Sequence, residues 1–366
     1  MRGMEPWSRS EDRTPPGPDG GPLPSPTGGP LPAPGCGPLP VPALDPELAV
    51  VRADLGPLEP LTPHNLAARQ ERDATSRPRP TAAELSADGR FTVSEVRVPG
   101  PPGAPEVTLV SARPAGPTGP LPLLYYLHGG AMVMGNAWSV LPTVLREWAE
   151  PLGLAVLSVE YRLAPATRYP GALEDCWAGL TWAVEHADAL GIDPGRIVLG
   201  GKSAGGGLTA ALALLTRDRP GGPSPVGQLL ISPMLDDRND THSAHQMSGR
   251  DIWDRTSNST AWQAVLGDLH GTADLSPYAA PARATNLSGL PPAYVEVGSA
   301  EVFRDEGVAY ANGIWQAGGD AELHVWPGAC HGFDGLASRA ALTRDARDTR
   351  TRWLRRRLAV SPPGPR

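Results

Sequence analysis

Arg196-Ile197-Val198-Leu199-Gly200-Gly201-Lys202-Ser203-Ala204-Gly205-Gly206 is the stretch on which the reading of this chain turns. Its first part, 196–199, is a short apolar run of the kind that forms a buried strand. Residues 204–216 are rich in Ala and Leu and read as a helix. Between them lies G-x-S-x-G, in the strand–turn–helix setting that gives the pattern its meaning. A turn this tight admits only small residues beside its central serine, and Gly201, Ala204, Gly205 and Gly206 meet that demand. It would raise the Ser203 hydroxyl above a sheet edge, at the start of a helix whose N–H groups favour negative charge. Ser203 is therefore the candidate nucleophile.

Outward from this turn, strands and helices alternate. Apolar or β-rich runs occur at 107–112, 123–127, 154–159, 226–231, 293–297 and 323–326. Helical stretches are expected at 173–190, where Leu173, Trp177, Leu180 and Val184 fall near helical spacing, and at 305–317 and 339–358. Apolar strands without strict alternation are buried on both faces. Strands interleaved with helices imply an α/β fold with a mostly parallel central sheet flanked by helices. In such a sheet, functional sites lie beyond the carboxyl ends of the strands.

Two further features fall at such ends. A hydroxyl attacking a carbonyl creates an oxyanion that needs preorganised N–H donors. His128-Gly129-Gly130-Ala131 leaves the run 123–127 with adjacent glycines, so the N–H groups of Gly129, Gly130 and Ala204 are assigned to that task. His128 is expected to orient its own loop by a hydrogen bond. The nucleophile also needs a base. Of His64, His128, His186, His242, His245, His270, His324 and His331, the last follows the final strand and is the candidate. His242 and His245 lie in a polar loop with no cluster of further ligands, and are expected to face solvent or a lid. The third partner is a carboxylate after the preceding strand, in the chain order Ser, acid, His. Glu301, Asp305 and Glu306 compete there. Glu301 lies nearest the strand end and is preferred. Asp305 is the alternative, since a first-turn carboxylate such as Asp305 or Glu306 is already explained by the helix dipole.

The chain has 366 residues and a net charge of −7, which argues against a general nucleic-acid or anionic-membrane binder. Its 44 prolines and 43 glycines make up nearly a quarter of it. Seventeen of the prolines fall in residues 1–63, in repeats such as Gly21-Pro22-Leu23-Pro24. Residues 1–42 are therefore expected to form a disordered or polyproline arm, residues 43–360 the folded domain, and 361–366 a disordered tail. Residues 1–20 hold no apolar stretch of the kind a secretory signal needs, and no run of 18 apolar residues occurs. Cys36, Cys176 and Cys330 fall at no metal or redox spacing, so reduced thiols in a cytoplasmic protein are expected. The sequons at Asn239, Asn258 and Asn286 are then chance matches.

Taken together, these motifs resemble those of the hormone-sensitive-lipase-like family of bacterial carboxylesterases in the α/β-hydrolase fold. The likeness rests on His128-Gly129-Gly130-Ala131, Tyr161-Arg162-Leu163-Ala164-Pro165, Gly201-Lys202-Ser203-Ala204-Gly205-Gly206, Arg304-Asp305-Glu306-Gly307 and His331-Gly332-Phe333, and spans roughly residues 45–358. Three positions depart from the family pattern. Ala131 stands where the third loop glycine is usual, Lys202 where an acidic residue is usual, and Cys330 where a bulky apolar residue is common. The resemblance implies a Ser203–His331–Glu301 triad, with Glu301 in place of the family's usual Asp. It implies hydrolysis of short to medium acyl esters through an acyl-enzyme, with no metal and no organic cofactor. It also implies a helical cap over the acyl pocket, made from about 43–90 and 236–275, and makes a homodimer plausible. An amidase, lactonase or peptidase with the same triad, or a ligand-binding protein on the same fold, are the alternatives.

Overall fold

The computed structural model describes residues 39–76, 79–116 and 119–359. The expected arm lies outside the described residues except for 39–42, and the expected tail lies wholly outside them. Eight strands form one sheet: β1 (Phe91–Val98), β2 (Val107–Pro114), β3 (Leu121–Leu127), β4 (Ala155–Glu160), β5 (Ile192–Lys202), β6 (Gly227–Ile231), β7 (Ala293–Gly298) and β8 (Ala321–Trp326). Their order is β1-β2-β4-β3-β5-β6-β7-β8. β2 pairs antiparallel with both β1 and β4, and every other pairing is parallel.

The parallel strands are apolar throughout because helices cover both faces. In β3, Leu123, Tyr125 and Leu127 pack into one layer while Leu124 and Tyr126 pack into the other. The first layer holds the helices α6 (Gly171–Glu185), α8 (Ala204–Asp218) and α11 (Arg304–Gln316). The second holds α13 (Ala341–Ala359) and the segment α4 (Leu141–Val144), a π-helical turn (Leu145–Ala149) and α5 (Glu150–Leu152). α7 (Ala187–Leu190) follows α6 after a break at His186, so the single helix expected over 173–190 is two.

Strand β1 and the helical segment 141–152 were not read from the sequence. β1 is an edge strand whose side chains are mostly half-buried or exposed, so it carries no continuous apolar run. The helical segment 141–152 contains Pro142 and Pro151, which mask helical spacing; Pro142 stands in its first turn, where the ring is tolerated, and Pro151 follows the π-helical turn.

Residues outside the sheet form α1 (Pro46–Asp54), α2 (Leu66–Ser76), α3 (Ala82–Leu85), α9 (His242–Gln246), α10 (Arg255–Leu266) and α12 (Phe333–Leu336). α1 is started by Asp45, whose carboxylate accepts the Glu47 and Leu48 N–H groups. It buries Leu48 against Cys330 and Phe333, behind the loop that carries His331. The Asp45 N–H also donates to the Gly328 carbonyl at 3.0 Å. Between α1 and α2, Leu61 bonds to α10 from both its N–H (Ser257 Oγ, 2.8 Å) and its carbonyl (Thr260 Oγ, 3.0 Å). α3 packs instead beside β1 through Leu85 and Phe91. Among the described residues, no helix is long and apolar enough to cross a membrane.

Candidate active site

Ser203 stands between the last residue of β5 and the first of α8, at φ 58° and ψ −122°. Few L-residues adopt this conformation, and the surroundings hold it. The Ser203 N–H donates to Ile231 O at 2.8 Å, and its carbonyl accepts from Gly207 (3.0 Å) and Met234 (3.1 Å). Gly205 is required because a Cβ there would lie 2.0 Å from the Leu127 carbonyl oxygen. Helix α8 thus enters directly against the end of β3, which brings the loop after β3 beside the serine. A Cβ on Gly129 would lie 2.9 Å from Lys202 O and 3.4 Å from Ser203 Cβ. Among the described residues, no backbone hydrogen bond uses the N–H groups of Gly129, Gly130 or Ala204.

His331 follows β8 and meets the serine, its Nε2 3.1 Å from Ser203 Oγ. On the other side of the ring, Nδ1 lies 2.8 Å from Glu301 Oε2. Glu301 is fully buried, and its remaining oxygen accepts the Gly298 N–H (2.6 Å) and the Ser232 hydroxyl (3.0 Å). A carboxylate so held fixes the imidazole with its Nδ1 proton toward Glu301 and its Nε2 lone pair toward the serine. Asp305 is elsewhere: it accepts the Ser243 N–H at 2.7 Å at the start of α9 and pairs with Arg304. Glu306 turns inward and accepts the Leu235 N–H at 2.7 Å, and burial pushes its carboxyl well up. Of the three acids weighed, the geometry joins Glu301 alone to His331.

His128 stacks on Tyr161 at 4.0 Å, and its Nδ1 lies 2.8 Å from the Gly129 carbonyl oxygen. Burial pushes it down to about 4, so the ring is neutral near neutral pH and donates within its own loop. Ala131 and Met132 hold φ 57° and 58°, the conformations of a loop curled back on itself. From outside, α2 braces this loop. Gln70 donates to Val133 O (2.8 Å) and Ala164 O (2.9 Å), and Asp73 accepts the Gly135 N–H (2.8 Å). His245 pairs with Asp240 at 2.6 Å, and the described residues contain no cluster of ligands for a metal. Cys176 and Cys330 are free thiols; burial raises both, that of Cys330 to about 12, so neither is poised as a nucleophile.

Lys202, beside the serine in sequence, points away from it to the other face of the sheet. Its ammonium pairs with Asp334, three residues beyond His331. Asp334 also takes Arg350 Nη1 at 2.7 Å, and Arg350 in turn binds Glu296 on β7. Burial alone would raise the Asp334 carboxyl, but Lys202 and Arg350 hold it far below the ordinary range. A cavity of about 550 Å³ opens on this rear face, lined by Tyr126, Thr143, Trp148, Lys202, Asp334 and Arg347 among others. Ser203 is not part of its wall, so the serine chemistry does not lie there.

Ser232, Gln70, Asp334 and Arg350 were not singled out by sequence as parts of the site, and Tyr161 and Lys202 were quoted within motifs without a role of their own. Ser232 follows β6, a strand whose end bears no motif, and its φ of 44° is invisible in a sequence. Asp334 carried a readable signal, an acid directly after His331-Gly332-Phe333.

A serine at a strained strand–helix turn, joined through a histidine to a buried carboxylate at the carboxyl end of a parallel sheet, defines a serine hydrolase. The chain belongs to the alpha/beta hydrolase fold family, whose sequence profile matches residues 124–335. Esterase LipI of Mycobacterium tuberculosis (strain ATCC 25618 / H37Rv) is 36% identical over 258 residues, covering 66% of this chain and 79% of that protein. Carboxylesterase NlhH of the same organism is 38% identical over 219 residues, covering 59% of this chain and 68% of that protein. Among solved structures, a bacterial heroin esterase superposes with a TM-score of 0.79 at 38% identity, over 87% of this chain and 99% of its own. These relatives bear out the resemblance to the hormone-sensitive-lipase-like esterases and the fold class expected from the sequence.

Proposed function

We propose that the chain is a carboxylic-ester hydrolase in which Ser203 is the nucleophile, His331 the general base and Glu301 the group that orients it. The observation that carries this reading is the continuous relay from Ser203 Oγ through His331 (3.1 Å) to Glu301 (2.8 Å). His331 Nε2 takes the serine proton as Oγ attacks the ester carbonyl carbon. The N–H groups of Gly129, Gly130 and Ala204 receive the negative charge that develops on the carbonyl oxygen. The C–O bond to the alcohol then breaks, and His331 returns its proton to the departing oxygen. Water, deprotonated by the same nitrogen, attacks the acyl-serine; the acyl C–Oγ bond breaks, Nε2 returns the proton to Ser203 Oγ, and the acid is released. Each proton moves between Nε2 and an adjacent oxygen, so no metal or organic cofactor enters any step.

The names of the relatives, esterase and carboxylesterase, support an ester rather than an amide as substrate. The contacts of Leu61 with α10, and of α2 with the loop after β3, support a cap in which 43–90 and 236–275 both take part. Within that cap the roles differ: α2 braces the loop after β3, and α1 backs the His331 loop.

A fluorophosphonate probe tests the assignment. The wild-type chain should be labelled and hydrolyse p-nitrophenyl acetate, and Ser203→Ala should do neither. Labelling of Ser203→Ala equal to wild type would sink the reading. The anilide of the same acyl group, assayed in parallel, should be cleaved far more slowly; a faster anilide would favour the amidase alternative.

A further inference from the structure

Asp251 lies in the turn between α9 and α10 and takes no part in the chemistry just described. Its backbone holds φ 69°, a left-handed conformation that few side chains tolerate and Asp is among those that do. This turns the carboxylate toward the loop that carries His331. Asp251 Oδ2 accepts the His331 backbone N–H at 3.2 Å. Its other oxygen, Oδ1, is buried with no hydrogen-bond partner among the described residues. A buried carboxylate oxygen left unpaired in a strained turn is the kind of cost that persists at functional sites. The titratable groups facing Asp251 are His331 and Cys330 from the loop after β8 and Glu301 from the loop after β7; Arg52 of α1 faces Cys330 from behind. Burial pushes the Asp251 carboxyl up, while the Ile252 and His331 N–H groups and the His331 ring pull against that rise.

Two acids therefore converge on one histidine. Glu301 holds the ring by its Nδ1 edge, and Asp251 holds the main chain of the same residue from the opposite segment. During acyl transfer the ring becomes an imidazolium, and a second nearby negative charge favours that form. Resting on His331 as the base, we propose that Asp251 is a positioning residue for it: the carboxylate anchors the His331 backbone from the 236–275 segment and adds negative charge that stabilises the imidazolium.

The two contributions separate in Asp251→Asn, which keeps an acceptor oxygen but loses the charge. With p-nitrophenyl acetate and the full chain, kcat at the optimum should fall severalfold and KM stay within about twofold. The acid limb of the kcat/KM profile should move to lower pH by about half a unit or more, because the imidazolium has lost a neighbouring anion. Asp251→Ala, which loses acceptor and charge, should cost kcat about tenfold or more. An Asp251→Asn profile that superimposes on the wild type, or a loss of kcat with an unmoved acid limb, would overturn the role. His331→Ala in the same assay separates the two levels. It should be inactive; an inactive His331→Ala beside an unmoved Asp251→Asn profile overturns the Asp251 role alone, whereas an active His331→Ala removes the base assignment and the proposal with it.

Discussion

At Ser203 the backbone angles of 58° and −122° exist because the chain must leave β5 and enter α8 within one residue. The steric demands of that turn are local, so they are written into neighbouring residues and can be read directly from Gly201-Lys202-Ser203-Ala204-Gly205. The acid is different. Glu301, Asp305 and Glu306 lie within six residues of one another, and sequence separates them only by distance from the strand end. The structure separates them by partner: Glu301 meets His331, Asp305 meets Ser243, and Glu306 meets Leu235. Glu301→Gln should lower kcat by about 10³-fold or more, since an amide no longer fixes the imidazole with its Nε2 lone pair toward the serine. Asp305→Ala removes a helix-start contact and the pair with Arg304, neither of which reaches His331, and should cost less than about tenfold. Steady-state kinetics on one ester decides, and the reverse order would transfer the orienting role to Asp305.

Between elements, charge takes over from sterics. Arg350 of α13 is fully enclosed and bridges Glu296 on β7 to Asp334 on α12, while Lys202 at the end of β5 reaches Asp334 from the other side. Two strands, β5 and β7, and two helices, α12 and α13, are thus tied together behind the site. The part of Arg350 was not legible in the sequence, because nothing in an Arg-rich helix marks which arginine is buried, and burial is a tertiary fact. The alternation of strands was legible, because burial on both faces imposes continuous apolar runs; the edge strand β1, wetted on one side, gave no such run. Arg350→Met should lower unfolding free energy by about 3–5 kcal/mol, since it leaves Glu296 buried without its cation. Asp334 adds a pH dependence. A carboxyl held below its ordinary range binds its proton less readily folded than unfolded. Its stabilisation is therefore complete above the unfolded value of about 3.9 and is lost as pH falls below that value toward the folded one. Denaturant unfolding should show wild type losing stability below about pH 4 more steeply than Asp334→Asn, which starts lower at pH 7. Parallel curves for the two proteins would mean that the pair contributes nothing to acid sensitivity.

Over the whole molecule, the sheet supplies the positions of Ser203, His331 and Glu301, but the segment before β1 sets the surroundings of two of the site's loops. α1 buries Leu48 behind Cys330 and Phe333, and α2 reaches the loop after β3 through Gln70 and Asp73. A proline-rich N-terminal region read from composition alone would be set aside entirely, yet Asp45 caps α1, and before it Val41 packs on the core and the Pro40 carbonyl accepts from Gln246. Truncation tests these contacts functionally. A chain beginning at residue 39 keeps every contact described for α1, Leu61 and α2, and should match the full chain in melting temperature and kcat/KM. A chain beginning at residue 80 keeps all eight strands but loses the braces on both loops. Displacing oxyanion donors or a base by about 1 Å costs on the order of 10²-fold, so its kcat/KM should fall by about that factor with a cooperative melt retained at lower temperature. An undiminished kcat/KM in the shorter chain would show that β3, β5 and β8 hold the reacting groups unaided, and that α1 and α2 serve only to exclude solvent.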